Sequence, residues 1–492
     1  MDCRMECRNK PGQKCPSSEQ SSEREGDSAE RKGTDNWLLK CDFYHGFLPR
    51  HDVPVLLRGH GDFLVRRSEK VKILANKQTE KRTSNVISVL IDEENKLESR
   101  APPAEKKKFI KNVVVYHRGG KWYLDEAMKF DGVAPLFAYY MNNPLHIKDV
   151  TISLLRGVRL CRWEYVHRNI KVIRSIGRGA YGEVKLAELN RRSGEPVTVA
   201  AKTVNNDDNM TPKKIKEMLK EARIMRGLRH PNIVSFIGVV LIDHPIYIIL
   251  EYMKAGALDA YLRKNNAKVT TDERIRFCMG VAWGMEYLHS VSILHRDLAT
   301  RNCLYDGSFY VKIADFGLSR KGTVYKMRVI QKMPIRYMAP ESLLEYTFSQ
   351  KTDVYTFGIV IYEIFTSREP YPDIPSNQIK ATIVSGKLNS LPNTVPQDLT
   401  TLVVEKMWAK DPAQRTDFTT IVQFLEKTSG LKLPKSAFDD LPTLDLDKSK
   451  ARNTRRLKSK AVERVSKVVE TVKGPMEAII EEGENIKKLT NT

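Results

Sequence analysis

The stretch His295-Arg296-Asp297-Leu298-Ala299-Thr300-Arg301-Asn302 decides the fold class, together with two short motifs that follow it. Asp315-Phe316-Gly317 begins 13 residues after Asn302, and Ala339-Pro340-Glu341 begins 24 residues after Asp315. Each motif alone occurs by chance. Their order and spacing in one chain are a much more specific signal, which points to a polar site built from several loops of one domain.

A glycine-rich segment upstream extends this pattern. Ile176 to Val184 contains the spacing GxGxxG, with glycines at Gly177, Gly179 and Gly182. Alone, this spacing fits a Rossmann turn or a glycine-rich hairpin. A Rossmann motif opens a helix, whereas the residues after Gly182 and those before Lys202 continue as strands, which favours the hairpin.

A helix is predicted after this second strand, because Thr211-Pro212 is a typical helix start and apolar residues follow at helical spacing. Glu221 lies on this helix, and Glu217 lies one turn earlier on the same face. Either glutamate is therefore a candidate partner for Lys202, and Glu221 is the predicted one.

The complete set of motifs resembles the signature of the protein kinases. The resemblance implies an α+β, bilobal fold that uses ATP and Mg²⁺, with Mn²⁺ as the alternative ion. Phosphoryl transfer depends on positioning and charge neutralisation. Lys202, oriented by Glu221, would hold the phosphates, Asn302 and Asp315 would bind the metal, and Asp297 would accept the proton of the attacking hydroxyl. The nucleotide-binding residues that the resemblance implies are Ile176, Gly177, Gly179, Gly182, Val184, Lys202, Leu250 as gatekeeper, Glu251 and Met253.

Two segments resemble tyrosine kinases in particular. Serine/threonine kinases usually have Lys where this chain has Ala299, and this chain has Arg301 four residues after Asp297, as tyrosine kinases do. The segment from Lys332 to Glu341 resembles the tyrosine-kinase loop that supports the substrate ring. The chain departs from that pattern at Thr300, where Ala is usual, and at Tyr337, where Trp is usual. A serine/threonine kinase and a silent kinase domain that serves as an adaptor remain alternatives.

Tyr325 lies between Asp315 and Glu341 among basic residues, in the segment that resembles the activation loop. We predict it to be an autophosphorylation site with Arg296 as the partner of its phosphate, since a phosphate adds charge and acceptor oxygens that arginine can bind. Arg320 and Arg328 are further candidate partners.

The first ordered region resembles a Src-homology-2 (SH2) domain, an antiparallel sheet flanked by two helices. Gly61-Asp62-Phe63-Leu64-Val65-Arg66-Arg67-Ser68 resembles the strand that carries the phosphate-binding arginine, and Phe43-Tyr44-His45-Gly46 stands where the family opens. The resemblance implies phosphotyrosine binding by Arg66, Arg50 and Ser68, because arginine offers a bidentate fork to phosphate. Lys108 is interpreted as replacing a histidine of the family, and the polar segment from Glu69 to Asn85 as a long loop.

An SH2 domain directly before a tyrosine kinase domain resembles the Fes/Fer family of cytoplasmic tyrosine kinases, without their membrane-curving F-BAR region. The implied function is a non-receptor protein tyrosine kinase whose partners are phosphotyrosine-containing proteins and tyrosine-bearing protein substrates. The expected domains are a disordered segment (1–40), the SH2 domain (42–155), a linker (156–168), the kinase domain (169–428) and a basic, partly helical tail (434–492).

Composition limits the location and the partners of the chain. Its 492 residues carry a net charge of +22, which favours anionic partners. No apolar run approaches the ~18 residues of a membrane span, no secretory signal is predicted, and seven cysteines indicate a reducing compartment. We therefore expect a cytoplasmic protein that binds no nucleic acid. The basic tail, rich in Lys and Arg from Lys448 to Lys467, suits an anionic membrane surface at the inner face of the plasma membrane or a calmodulin-like partner, and a solvated tail is the alternative.

Overall fold

The computed structural model describes residues 37–73, 79–94, 96–98, 101–147, 149–179, 182–191, 194–203, 212–328 and 333–438. No helix in these ranges combines the length and the apolarity needed to cross a bilayer. The predicted disorder before residue 37, the helix cap at Thr211 and the basic tail beyond Phe438 lie outside the described residues.

Trp37, the first described residue, is already packed, although it lies within the segment 1–40 that was expected to be disordered. The ring of Trp37 stacks on Phe137 with centroids 5.7 Å apart, and Leu38 is buried in the same core. At the other end, Phe438 lies edge-on to the ring of His230, with centroids 5.5 Å apart. Apolar side chains thus anchor both ends of the described chain.

The N-terminal sheet has six strands in the order β5-β4-β3-β2-β1-β8. One face of this sheet packs on a helix whose side chains Leu136 and Phe137 are buried. On the opposite face, alternate strand residues such as Leu64 are also buried. The elements of this region are α1 (Val53–Leu56), β1 (Asp62–Ile73), β2 (Thr79–Leu90), α2 (Pro103–Phe109), β3 (Ile110–Arg118), β4 (Lys121–Tyr123), β5 (Lys129–Phe130), α3 (Val133–Tyr140), β6 (Leu145–Ile147), β7 (Val150–Ile152) and β8 (Arg156–Gly157).

The segment from Glu69 to Asn85 is not the long loop that its polarity suggested. β1 and β2 continue through it as an antiparallel pair, in register from Ser68↔Ser84 to Ile73↔Thr79. A polar sequence does not exclude strands, because the backbone hydrogen-bonding groups of a hairpin pair with each other.

The expected linker contributes one strand to each of the two sheets that it connects. β8 pairs in parallel with β1, and β9 (Glu164–Tyr165) pairs in parallel with β13 (Phe236–Val240) of the following sheet. Glu164 also accepts a hydrogen bond from the buried ring of His45 at 2.9 Å. This hydrogen bond holds the linker to the N-terminal region.

The upper sheet of the second region has the order β10-β11-β12-β14-β13-β9. Alternate residues of its strands are buried, and Ala187, Val199 and Ile249 belong to the separate hydrophobic core that they form. One amphipathic helix, α4, accompanies it. The elements are β10 (Ile170–Gly179), β11 (Gly182–Leu189), β12 (Val197–Thr203), α4 (Pro212–Met225), β13 (Phe236–Val240) and β14 (Tyr247–Glu251).

The lower region is mainly helical and surrounds two long buried helices, α6 and α8. Thr270 and Glu273 form a capping box at the start of α6, with both hydrogen bonds at 3.2 Å. The elements are β15 (Gly256–Ala257), α5 (Leu258–Asn265), α6 (Thr271–Ser290), β16 (Ile293–Leu294), β17 (Cys303–Tyr305), β18 (Val311–Ile313), β19 (Arg320–Lys321), β20 (Val324–Lys326), α7 (Pro340–Glu345), β21 (Thr347–Ser349), α8 (Gln350–Thr366), α9 (Ile379–Val384), α10 (Gln397–Thr401), the π-helix Leu402–Met407 and α11 (Phe418–Ser429).

Candidate active site

The described glycines of the glycine-rich segment lie at the paired ends of β10 and β11. Gly179 pairs with Gly182 at the end of this hairpin, and Val184 pairs with Lys202 on the neighbouring strand β12. A Cβ atom added at Gly177 would meet no other atom within 4 Å, and Ile176 is 36% exposed beside it. The hairpin excludes the Rossmann alternative and leaves the backbone open to a ligand.

Lys202 lies at the centre of a charge cluster between the upper sheet, α4 and the lower region. Its ammonium group bonds both carboxylate oxygens of Glu221 at 2.8 Å and lies 3.6 Å from Asp315, whereas Glu217 is exposed. Burial disfavours the charged lysine, but the two carboxylates outweigh this effect and raise its pKa above the usual value. The lysine is therefore held as a cation in a buried position.

Asp297 and Arg301 form a second pair, in the loop before β17. Arg301 Nη2 lies 2.5 Å from Asp297 Oδ1. Burial raises the pKa of Asp297, an effect that the charge of Arg301 opposes and the charge of Asp315 increases. The Asn302 amide donates to the Asp297 carbonyl at 2.7 Å, and the Asn302 backbone carbonyl accepts from the N–H of Ala314, next to Asp315, at 2.9 Å, so the two charge clusters lie on hydrogen-bonded segments.

Asp353 on α8 supports the backbone of this loop. Its carboxylate accepts hydrogen bonds from the backbone N–H groups of His295 and Arg296, both at 3.0 Å, and from the ring of His289. A buried carboxylate with these donors fixes the loop to a long helix, and sequence reasoning missed it because it lies far along the chain.

Asn302 and Asp315 are the candidate metal ligands. The amide nitrogen of Asn302 donates to the carbonyl oxygen of Asp297 at 2.7 Å, so its oxygen is the end available to a cation. Lys202, the Gly317 N–H and His295 overcome burial and lower the pKa of Asp315, which favours its ionised form. Within the described ranges, no group of three or more His, Cys, Asp or Glu side chains is able to hold a metal alone. Two hard oxygen donors fit Mg²⁺ that shares its shell with phosphate and water.

The predicted hinge connects the upper sheet to the lower region. Leu250 is half-buried and Met253 is buried. The Glu251 carboxylate bonds Lys312 at 2.6 Å and accepts from the Ser235 N–H at 3.0 Å. The Glu251 side chain thus serves as a brace between the lobes, which the sequence did not reveal.

Tyr325 lies on β20, which pairs with β21. The Arg296 guanidinium lies 4.5 Å from its ring centroid and the Arg320 guanidinium lies 5.3 Å from it, whereas Arg328 is exposed. Burial and the charge of Arg320 lower the pKa of Arg296 to about 10. Two of the three candidate arginines therefore contact the tyrosine.

Arg66 forms a second polar site in the N-terminal sheet. It donates to Ser88 at 3.1 Å and to Asn112 at 3.0 Å, and its pKa is lowered to about 10 by burial and by the charge of nearby Arg50. Ser68 lies two residues along the same strand. Asn112 lies directly beside Arg66, whereas Lys108 is exposed on α2. Asn112 and Ser88 were missed because they lie on other strands.

The site agrees with what the comparisons with known proteins find. Residues 170–425, slightly more than half of the chain, match the family described as "Protein tyrosine and serine/threonine kinase". The chain is 31% identical to Fer-related kinase 1 of Caenorhabditis elegans over 78% of this chain and 93% of that protein. It is 32% identical to tyrosine-protein kinase Fer of Rattus norvegicus, over 78% of this chain and 43% of that protein. It is also 32% identical to the tyrosine-protein kinase transforming protein Fps of avian sarcoma virus (strain PRCII), over 79% and 68% of the two chains.

Proposed function

The chain belongs to the Fes/Fer family of protein tyrosine kinases, and we propose that it transfers the γ-phosphate of ATP to tyrosine side chains of proteins, guided by a phosphotyrosine-binding domain. One observation carries this proposal: the Lys202–Glu221 ion pair lies beside Asp315, and Asn302 is hydrogen bonded both to Asp297 and to Ala314, the residue before Asp315. A silent adaptor would not need these groups to be assembled.

Each charged side chain has a role that its surroundings support. Lys202 and the glycine-rich hairpin bind the phosphates, and the hinge residues Leu250, Glu251 and Met253 border the adenine. Asn302 and Asp315 hold Mg²⁺, which neutralises phosphate charge when it is bound. Asp297 accepts the substrate proton, for which a carboxylate with a raised pKa is well suited.

Asp297→Asn in the full chain is the direct test. We expect a loss of phosphotransfer by orders of magnitude with an unchanged thermal midpoint, at about 1.4 kcal/mol per tenfold in rate. An assay with Mg²⁺, ATP and a mixed tyrosine and serine peptide also identifies the acceptor. Full activity of this variant, or phosphate on serine alone, contradicts the proposal.

The region 42–155 is proposed to be an SH2 domain that binds phosphotyrosine through Arg66, Arg50 and Ser68, followed by a linker (156–168) and the kinase domain (169–428). This proposal is supported by the antiparallel sheet with its accompanying helices and by the buried side chain of Arg66, whose hydrogen-bond partners are neutral. Asn112 and Ser88 orient this arginine from neighbouring strands.

The basic tail is proposed to recruit a cytoplasmic kinase to anionic membrane at the inner face of the plasma membrane. Each basic residue near such a surface contributes roughly 1 kcal/mol, and salt screens the effect. Sedimentation with phosphatidylserine vesicles should be weaker for a chain that ends at Leu433 than for the full chain. Equal binding by both, or binding that salt does not weaken, disproves this recruitment.

A further inference from the structure

The two positions at which the chain departs from the tyrosine-kinase pattern, Thr300 and Tyr337, meet at one buried carboxylate. The Tyr337 hydroxyl donates to Glu363 Oε1 at 2.7 Å, and the Thr300 backbone N–H donates to Oε2 at 3.0 Å. The Thr300 hydroxyl bonds the same carboxylate. All three residues are buried, so Glu363 depends on these donors in place of water.

The same tyrosine supports Arg301. The Arg301 guanidinium lies over the Tyr337 ring, 4.5 Å from its centroid, and its Nη2 atom lies 2.5 Å from Asp297 Oδ1. A cation over an aromatic face is attracted by the ring quadrupole, so the plane of the ring limits where the guanidinium can lie. Glu363, Tyr337, Arg301 and Asp297 thus form a continuous series of contacts from α8 to the reacting group.

We propose that Tyr337 is a positioning residue for phosphoryl transfer, which acts through Arg301 on the orientation of the Asp297 carboxylate and is itself held by Glu363 and Thr300. This inference rests on the proposed role of Asp297 as proton acceptor. Tyr337 and Arg301 also line a cavity of about 670 Å³ that includes Pro334 of the predicted substrate-supporting loop. Glu363 and Thr300 line the same cavity, and the hydroxyl of Tyr337 is engaged by Glu363.

Tyr337→Phe in the full chain tests the inference, because it keeps the ring and removes only the hydroxyl. We expect the single-turnover rate of peptide phosphorylation to fall about tenfold, which corresponds to ~1.4 kcal/mol, with the KM for ATP unchanged. Tyr305→Phe is the matched control: it removes another buried hydroxyl of the lower region, which donates to the Ser308 carbonyl at 3.1 Å, and should leave the rate unchanged.

A second background separates positioning from general destabilisation. In Asp297→Asn, which has no carboxylate to orient, adding Tyr337→Phe should not lower the residual rate further. Thr300→Ala, which removes the other hydroxyl on Glu363, should slow transfer in the same direction but less. This variant also serves if Tyr337→Phe does not fold.

The outcomes separate failure of the positioning role of Tyr337 from failure of the proposed role of Asp297. A wild-type rate in Tyr337→Phe, with Asp297→Asn inactive, overturns the positioning role alone. The positioning role is also overturned if Tyr337→Phe lowers the rate by the same factor in the wild-type and Asp297→Asn backgrounds, since the effect is then structural. Full activity of Asp297→Asn instead removes the proposed function on which the inference rests.

Discussion

At the scale of single residues, two buried arginines share an unusual environment. Arg66 contacts the neutral groups of Ser88 and Asn112, and Arg296 contacts the Leu318 carbonyl and aromatic rings. Neither forms an ion pair among the described residues, and burial lowers both pKa values to about 10. A buried cation without an anion is costly, so each site favours an incoming phosphate.

Arg66→Lys should weaken phosphotyrosine-peptide binding by at least about tenfold, because lysine replaces a bidentate fork with a point contact. Fluorescence anisotropy of a labelled phosphopeptide with the full chain measures this loss. Arg67→Lys is the matched control, since the side chain of Arg67 turns to Asp243 at 3.5 Å. Equal affinities of Arg66→Lys and wild type would locate the phosphate pocket elsewhere.

Arg301→Gln should shift the acidic limb of the pH–rate profile to higher pH. Burial already raises the pKa of Asp297, and Arg301 opposes that rise. Loss of the positive charge therefore raises the pKa further, and the ionised base disappears at a higher pH as the pH falls. Arg263→Gln is the control, because it removes a surface arginine that is paired with Asp259 at 2.9 Å. Its pH–rate profile should have the acidic limb at the wild-type position. A limb that stays in place or moves to lower pH refutes the assignment of this pKa to Asp297.

At the scale of elements, the local sequence pattern was most informative for motifs whose function requires a fixed backbone geometry. The glycine spacing and the strands around it predicted the β10–β11 hairpin, and Lys202 and Glu221 were found from the same motifs. The β1–β2 hairpin was missed because its residues are polar where apolar alternation would mark a strand. Asn112 and Glu363 were missed because their importance comes from neighbours on other elements.

Tyr325→Phe tests the β20–β21 ribbon as a switch. Phosphate on Tyr325 would place negative charge against Arg296 and Arg320, which already contact the ring, and so stabilise the segment beside Asp297. We expect lower activity toward an added peptide with little change in the KM for ATP. Tyr310→Phe, at another loop of the lower region, is the control. Mass spectrometry that finds no phosphate on Tyr325 after incubation with ATP, or a fully active Tyr325→Phe, excludes the switch.

At the scale of the whole molecule, the N-terminal region contacts the helix that carries Glu221. Asp52 accepts two hydrogen bonds from Arg223 on α4, at 2.8 and 2.9 Å, across 171 positions of sequence. Gly46 lies so close to β13 that a Cβ atom would come within 2.0 Å of the Leu241 carbonyl oxygen. Sequence motifs predicted both regions but not this contact, because no local pattern records which surfaces of two regions meet.

Asp52→Asn should lower peptide phosphorylation several-fold while phosphopeptide binding by the full chain is unchanged. Loss of the carboxylate charge weakens the hold on α4, and with it the Lys202–Glu221 pair. Asp42→Asn is the control, since it removes a carboxylate that bonds Arg159 of the linker at 2.8 Å and does not contact α4 in the described structure. Identical rates for Asp52→Asn and wild type would show that the contact has no part in catalysis.

The linker strands have a mechanical consequence. β8 is hydrogen bonded along the edge of one sheet and β9 along the edge of the next, and the segment between them is held to the N-terminal region by the N–H groups of Val158 and Leu160, which donate to the carbonyls of Phe63 and Asp42 at 2.8 and 3.0 Å. A pull on this segment would therefore act on hydrogen bonds at the edges of both sheets. Force applied to the N-terminal region along the linker would be carried to β13 through its pairing with β9.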